Sequence, residues 1–290
     1  HGRAKVVAGG TDLLGVMKAE ILPDSPELLV NIKEIQDLYG IIEKNGVLRI
    51  GALTRLSDIA GSSLIAERYN MLAQAAQAVA TPVIRGMATI GGNLCQDVRC
   101  WFYRYPHEVG GRILCRRKGG RHCPAVEGDN RYHAIMGAKK CFAVAPSDTA
   151  VALTALDAEI NITGPKGERL VPLRDFYTPL GNVLDPDEIV SWVRIPSTPE
   201  KARQSFIKFT LRKPIDFAVV SVACAFCVEE EICKYARICL GGVAPFPMRA
   251  MAAEKILINN RLDEETIREA STAAVMDAKP LRMNAYKVEL

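Results

Sequence analysis

Several common signatures are missing from this chain of 290 residues. No apolar run is long enough to span a bilayer, which excludes a transmembrane helix. Neither the Gly-x-Gly-x-x-Gly of a Rossmann fold nor the phosphate-loop lysine occurs, so any nucleotide is held by a different fold. Histidines number only four, and no Ser-His-Asp or paired-carboxylate arrangement presents itself. General-base hydrolysis therefore has no evident machinery. Aromatics are sparse at 6%. The basic run Arg112–Arg121 has no accompanying row of aromatics, which argues against nucleic acid and for an electrostatic seat for an anionic cofactor or partner.

What is present is a composition ordinary for a soluble globular protein, 49% hydrophobic and 24% charged, with net charge +4. The length suits two domains. The chain opens at His1 and passes at once into the strand-like Lys5-Val-Val-Ala8; residues upstream of His1 are expected, and a signal peptide is left open.

Residues 5–60 alternate short strands with turns: Leu13–Lys18 has helical spacing, Leu28–Asn31 and Leu48–Gly51 read as strands, and Asn45-Gly46 as a hairpin turn. A helix starts at Thr54 or Ser57, and Ser62–Ala80 reads as one longer alanine-rich helix. Ser147 suits the cap of a helix continuing through Ala150–Ala155, and Gly164–Gly167 turns a hairpin between 158–163 and 168–172. Ile189–Ile195 is a strand and Pro196–Pro199 a linker. Beyond it come long strands at 205–211, 218–228 and 234–240, then helices at 249–257 and 263–277, a separate α+β unit with its boundary near 200.

The most informative stretch is Cys100–Cys141, within an insertion at about 95–142. It carries Cys100, Cys115, Cys123 and Cys141 among polar residues without hydrophobic periodicity, with Cys95 just outside. Such a segment buries too little apolar surface to order itself and needs a staple. Disulfides, zinc, free thiols and an iron–sulfur cluster remain open. Disulfides fit poorly with an odd count of 9 cysteines. Zinc sites more typically use close Cys-x-x-Cys pairs, and the only one, Cys224-Ala-Phe-Cys227, lies in an apolar run suited to a core role. Iron–sulfur ligand spacing is freer.

Two glycine turns also stand out, Ala8-Gly9-Gly10-Thr11-Asp12-Leu13 after a strand, and Thr89-Ile90-Gly91-Gly92-Asn93. Successive amides in such turns form anion-binding nests, and a pair of them suggests the two sides of a dinucleotide pyrophosphate. Either turn alone would be an ordinary tight turn.

These turns, with Ile84–Leu94, Pro146-Ser-Asp148, Leu211–Phe217, Gly241–Pro245 and Pro280–Lys287, resemble the FAD-binding subunit of the molybdenum hydroxylases, the xanthine dehydrogenase and carbon monoxide dehydrogenase family. The resemblance implies an α+β chain. Residues 1–199 would form a two-subdomain FAD-binding domain of the PCMH (vanillyl-alcohol-oxidase-like) type, and residues 200–290 a smaller α+β domain like the C-terminal domain of the CO dehydrogenase flavoprotein. It implies FAD cradled by Ala8–Leu13, approached by Thr89, Gly91, Gly92 and Asn93, with Asp148 on sugar hydroxyls, Leu184 near the flavin ring and Lys213 at its pyrimidine edge. Phe217 matches a position that touches the flavin in relatives. Two branches, the 4-hydroxybenzoyl-CoA reductases and certain bacterial aldehyde oxidoreductases, carry an extra loop that binds a 4Fe-4S cluster. Arg99-Cys100 matches its opening step, and Cys100, Cys115, Cys123 and Cys141 are similar to its ligands. Cys95 is then expected to be a buried non-ligand, Trp101, Phe102, Tyr103 and Tyr105 to exclude water, and His107, His122 and His133 to be structural or solvent-facing.

The function so implied is electron transfer between 2Fe-2S clusters of a small partner subunit and an external acceptor, while a large partner subunit holds molybdopterin and the substrate. A dimer of such heterotrimers is one assembly compatible with it. The chain would need no catalytic base of its own. Reversed flow, as in the 4-hydroxybenzoyl-CoA reductases, is an alternative, and a zinc-stapled interaction module with empty glycine turns is a second. A cytoplasmic location is expected, with the periplasm open.

Overall fold

The computed structural model describes residues 4–22, 24–212 and 215–290. The described residues form four sheets, two large and two of two strands each; the first glycine turn follows the strand Ala4–Val7, which pairs parallel with Leu28–Asn31.

The first sheet has five antiparallel strands in the order 41–44, 47–51, 189–195, 159–164, 167–172. Its hairpins form where short-range signals are strongest. Asn45 and Gly46 both adopt positive φ, +54° and +75°, the backbone that a two-residue turn with matching strand twist requires. The second sheet runs 203–209, 220–229, 232–241, 248–249, also antiparallel. Against the second sheet and the helix Asn70–Gln77 lies the helix Asp148–Ala155, with all eight residues buried. A helix so enclosed reads as apolar on every side rather than amphipathic. It shares one continuous core with Leu72, Ala76, Ile160 and Val193 and with Ala223, Ala225 and Cys239. Ser147 caps it by accepting from the Ala150 N–H at 3.1 Å, as its sequence position predicts.

The sequence reading of one helix over Ser62–Ala80 is corrected. The chain forms Ser63–Arg68, breaks at Tyr69 and resumes as Asn70–Gln77. Tyr69 is fully buried, with φ −134° and ψ 45°, so tertiary packing overrides helix propensity there.

The cysteine segment holds only a helical turn at His107–Gly110 and a 3₁₀ turn at Arg116–Lys118. Contrary to expectation, it does gather a small core of its own. Val98, Tyr103, Cys115, Cys141 and Ala143 pack with Val16 and Ile21 from the first helix and its exit. Polar ties fix its far end to the C-terminal tail. Asn130, fully buried, donates to the Ala125 and Gly128 carbonyls and accepts from the Met283 N–H; Asn284 donates to the His133 and Ala134 carbonyls. Every one of these buried polar groups is therefore matched, which is the condition for such a network to stabilise. Cys95, expected to be buried, is exposed at the end of the helix Ile90–Cys95.

Candidate functional site

The two glycine turns meet. A Cβ at Gly9 would stand 2.1 Å from the Met87 carbonyl oxygen, so only glycine permits the first turn to lie against residues 87–88. Gly10 follows at φ +70°. The amides of Gly9, Gly10, Thr11 and Asp12 donate to no other group among the described residues. Successive amides without a partner are the donors from which anion-binding nests are built, and of these four residues Thr11 and Asp12 line a cleft. The second turn differs. The Gly91 N–H donates to the Ala52 carbonyl and the Gly92 N–H to Thr89 Oγ1, so these glycines shape the wall. Asn93 is buried, its Oδ1 accepting from Ser147 Oγ at 2.6 Å and Thr149 Oγ1 at 2.7 Å. It thereby ties the second turn to the start of the central helix.

Two contiguous clefts open here, sharing Arg99, Pro146, Asp148, Asp216 and Phe217 in their walls. The smaller, about 290 Å³, is lined by Thr11, Asp12, Gly92 and Asn93. The larger, about 480 Å³, extends past Cys100, His133, Leu211 and Gly242. Together they suit a long ligand with an anionic centre and an aromatic end. Asp148, at the head of the buried helix, pairs with Lys208 at 2.7 Å, and Lys208 also donates to the Ala78 carbonyl. Burial raises the Asp148 carboxyl above its ordinary range, and the Lys208 ammonium offsets part of that. Lys208 gave no signal in the sequence, since its partner stands sixty positions away.

Of the residues expected at the site, Thr11, Asp12, Gly92, Asn93 and Asp148 are brought together in the smaller cleft. Leu184 is not among the lining residues of either cleft; it packs, half-buried, against the main core. Lys213 lies outside the described residues. Phe217 lines both clefts, with the Arg99 guanidinium 4.7 Å from its ring centre.

Cys100, Cys115 and Cys141 belong to one small apolar cluster, and Cys123 lies within electrostatic reach of all three. Burial pushes the Cys100 thiol up to about 11, with further upward pushes from Cys141 and Cys123. Cys123 is raised by burial and then by Cys141 and Cys115. Among the described residues no three His, Cys, Asp or Glu side chains are close enough to share one metal ion, and every cysteine is a free thiol. A cubane cluster differs from a single ion in that its sulfur ligands surround a larger body and stand further apart. Thiolates are the donors that iron–sulfur clusters use. His133, expected to be structural or solvent-facing, is buried, its Nε2 3.2 Å from Cys100 Sγ; burial and then Lys287 lower it to about 4, so the ring is neutral. Trp101 packs edge-on against Tyr132 and His133 beside it.

Two large antiparallel sheets, with a double glycine turn at an elongated cleft, suit a dinucleotide-binding protein outside the Rossmann class. Comparison with known proteins gives the family. The family model of the FAD binding domain in molybdopterin dehydrogenase matches residues 1–198, and that of the CO dehydrogenase flavoprotein C-terminal domain residues 205–290. Among curated relatives, the aldehyde oxidoreductase FAD-binding subunit PaoB of Escherichia coli K12 is 36% identical over 87% of this chain and 78% of its own length. The carbon monoxide dehydrogenase medium chain of Afipia carboxidovorans is 28% identical over 93% of this chain and 77% of its own. The solved CO dehydrogenase of Hydrogenophaga pseudoflava superposes with a TM-score of 0.78 at 26% identity, covering 100% of this chain and 85% of that one. The chain belongs to the FAD-binding subunits of the molybdenum hydroxylase family and is the flavoprotein component of an oxidoreductase. No helix among the described residues is long and apolar enough to cross a membrane.

Proposed function

We propose that the two clefts hold FAD, with its pyrophosphate along Ala8–Leu13 and the wall formed by Thr89, Gly91, Gly92 and Asn93. The single observation that carries this reading is the run of four unpaired amides at Gly9–Asp12, pressed against the second turn by the close approach at Gly9. When bound, the flavin supplies hydride and single-electron chemistry. The protein's own work is to bind, orient and exclude water. Asp148, held by Lys208, offers a carboxylate to ligand hydroxyls, while Phe217 supplies an apolar wall. Lys213 and Leu184 are assigned to the flavin ring on the family resemblance alone.

Cys100, Cys115, Cys123 and Cys141 are assigned to a 4Fe-4S cluster. The electrostatic reach of Cys141 and Cys123 on Cys100 and of Cys141 and Cys115 on Cys123, with no carboxylate acting on either thiol, supports this. Trp101 and Tyr103 shield that region from solvent, which tunes a cluster's potential. By its likeness to the PaoB and CO dehydrogenase medium chains, this subunit works beside a large molybdopterin-binding chain and a small 2Fe-2S chain, carrying electrons from the latter to an external acceptor. The 36% identity to an aldehyde oxidoreductase subunit favours the oxidative direction. The domain division at 199/200 is part of the same proposal.

The test is the anaerobic absorption spectrum and iron content of the purified complex, beside a Cys115→Ser variant. Flavin bands with a broad iron–sulfur shoulder are expected, and the variant loses about four irons per copy of this chain. Full retention of iron by the variant overturns the ligand assignment; a colourless complex overturns the whole reading.

A further inference from the structure

The cysteine segment reaches back to the first glycine turn through one carboxylate. Asp12 Oδ1 receives Arg104 Nη2 at 2.7 Å and Arg99 Nη2 at 2.9 Å, and Asp12 Oδ2 accepts the Asp97 N–H at 2.8 Å. Arg104 is braced by donating from Nε to the Val98 carbonyl at 2.7 Å, so its guanidinium plane is fixed by the segment's backbone. Both arginines line the smaller cleft with Thr11, Gly92 and Asn93, and their side chains keep about a fifth of their surface open, 22% and 20%. Arg104 Nη1 and Arg99 Nε have no hydrogen-bond partner among the described residues, so each retains a free donor.

The charge balance is uneven. Asp12 and Asp97 face Arg99, Arg104 and Arg117, while Asp148 is matched by Lys208 and Asp216 by Arg212. One positive charge stands in excess beside a nest of free amides. Partly desolvated guanidiniums with spare donors suit phosphate oxygens, because a hydrogen bond between two charged groups is about twice as strong as a neutral one.

We propose that Arg99 and Arg104, carried by the cysteine segment, complete the seat for the dinucleotide's phosphates, so that flavin retention depends on that segment. The inference rests on the reading that the pyrophosphate lies along Ala8–Leu13. It makes the segment a working part of the flavin site, and by reciprocity bound FAD must hold the segment in place.

The test strips the flavin from the whole complex and titrates FAD and riboflavin, which lacks phosphate, back into wild type, Arg99→Gln and Arg104→Gln. Each substitution is expected to weaken FAD by about tenfold or more, the effect of losing a hydrogen bond to a charged group, with riboflavin binding unchanged. The salt dependence of FAD binding becomes shallower in both variants. Unchanged FAD affinity overturns the proposal. So does equal weakening of FAD and riboflavin in Arg99→Gln, because the arginine then only props the turn; this variant leaves the backbone brace of Arg104 intact. A Gly9→Ala variant separates the two failures. If it weakens FAD while the arginine variants do not, the phosphate reading stands and this inference alone falls. If none of the three weakens FAD, the phosphate lies elsewhere.

Discussion

Adding one methyl group at Gly9 is the sharpest perturbation of the flavin cleft. The new Cβ would meet the Met87 carbonyl oxygen at 2.1 Å, its carbonyl carbon at 2.9 Å and Ala88 Cα at 3.0 Å, all of them backbone atoms. No side-chain rotation can relieve this, so the two turns must part by roughly 1 Å, at an overpacking cost of about 1–3 kcal/mol. The strain falls on the amides that the proposal gives to the pyrophosphate. Gly9→Ala is therefore expected to weaken FAD by about ten- to a hundredfold, since each hydrogen bond to a charged group contributes about 1.5–3 kcal/mol. The control is Gly61→Ala, where the added Cβ meets nothing within 4 Å, and which should leave FAD affinity unchanged. Recovery of flavin fluorescence on release, titrated against protein, gives both dissociation constants. A Gly9→Ala protein that melts like wild type and binds FAD equally well would refute the assignment of this turn.

Further outcomes follow from buried charges. Lys208→Met leaves the buried Asp148 carboxyl without its counter-charge and drives it further above its ordinary range, the pair's side chains being only 8% and 6% exposed; unfolding by urea should show a loss of about 3–5 kcal/mol. The double variant Lys208→Met with Asp148→Leu should recover most of that, and failure to recover would mean that Lys208 acts through packing alone. Lys287 donates to the His133 and Gly242 carbonyls, and burial lowers its ammonium to about 7 from an ordinary 10.5. Between those values the unfolded chain binds the proton and the folded chain does not, so stability should rise as pH increases from 7 towards 10. The melting temperature of Lys287→Met should lack that rise; an identical pH profile would refute the shift. Thr89→Ala removes the cap on the Gly92 N–H at 3.2 Å and should cost about 1 kcal/mol of stability, read by denaturant midpoint.

The hairpins and strands were legible because their signals are local: Asn45-Gly46 needs no partner to specify its turn, and Leu28–Asn31 and Ile189–Ile195 have the bounds read from the sequence. The break at Tyr69 was not legible, since it comes from burial in a core assembled from distant segments. The same division holds at the site. Glycine turns announce themselves by composition, whereas Lys208, Arg99 and Arg104 are ordinary basic residues until the fold sets them beside Asp148 and Asp12. Cys95 illustrates the converse, a thiol at the end of a short helix whose exposure no local signal announces. The staple of the cysteine segment was read as thiol chemistry alone, yet Asn130, Asn284 and the arginine ties to Asp12 share that task.

The most direct measurement is the FAD and iron content per chain of the anaerobically purified complex, taken for wild type, Gly9→Ala and Cys115→Ser side by side. One flavin per wild-type chain, flavin lost from Gly9→Ala on dilution, and about four irons missing from Cys115→Ser are predicted. Wild-type chains without flavin, or variants indistinguishable from wild type in both contents, would contradict the placement of both cofactors.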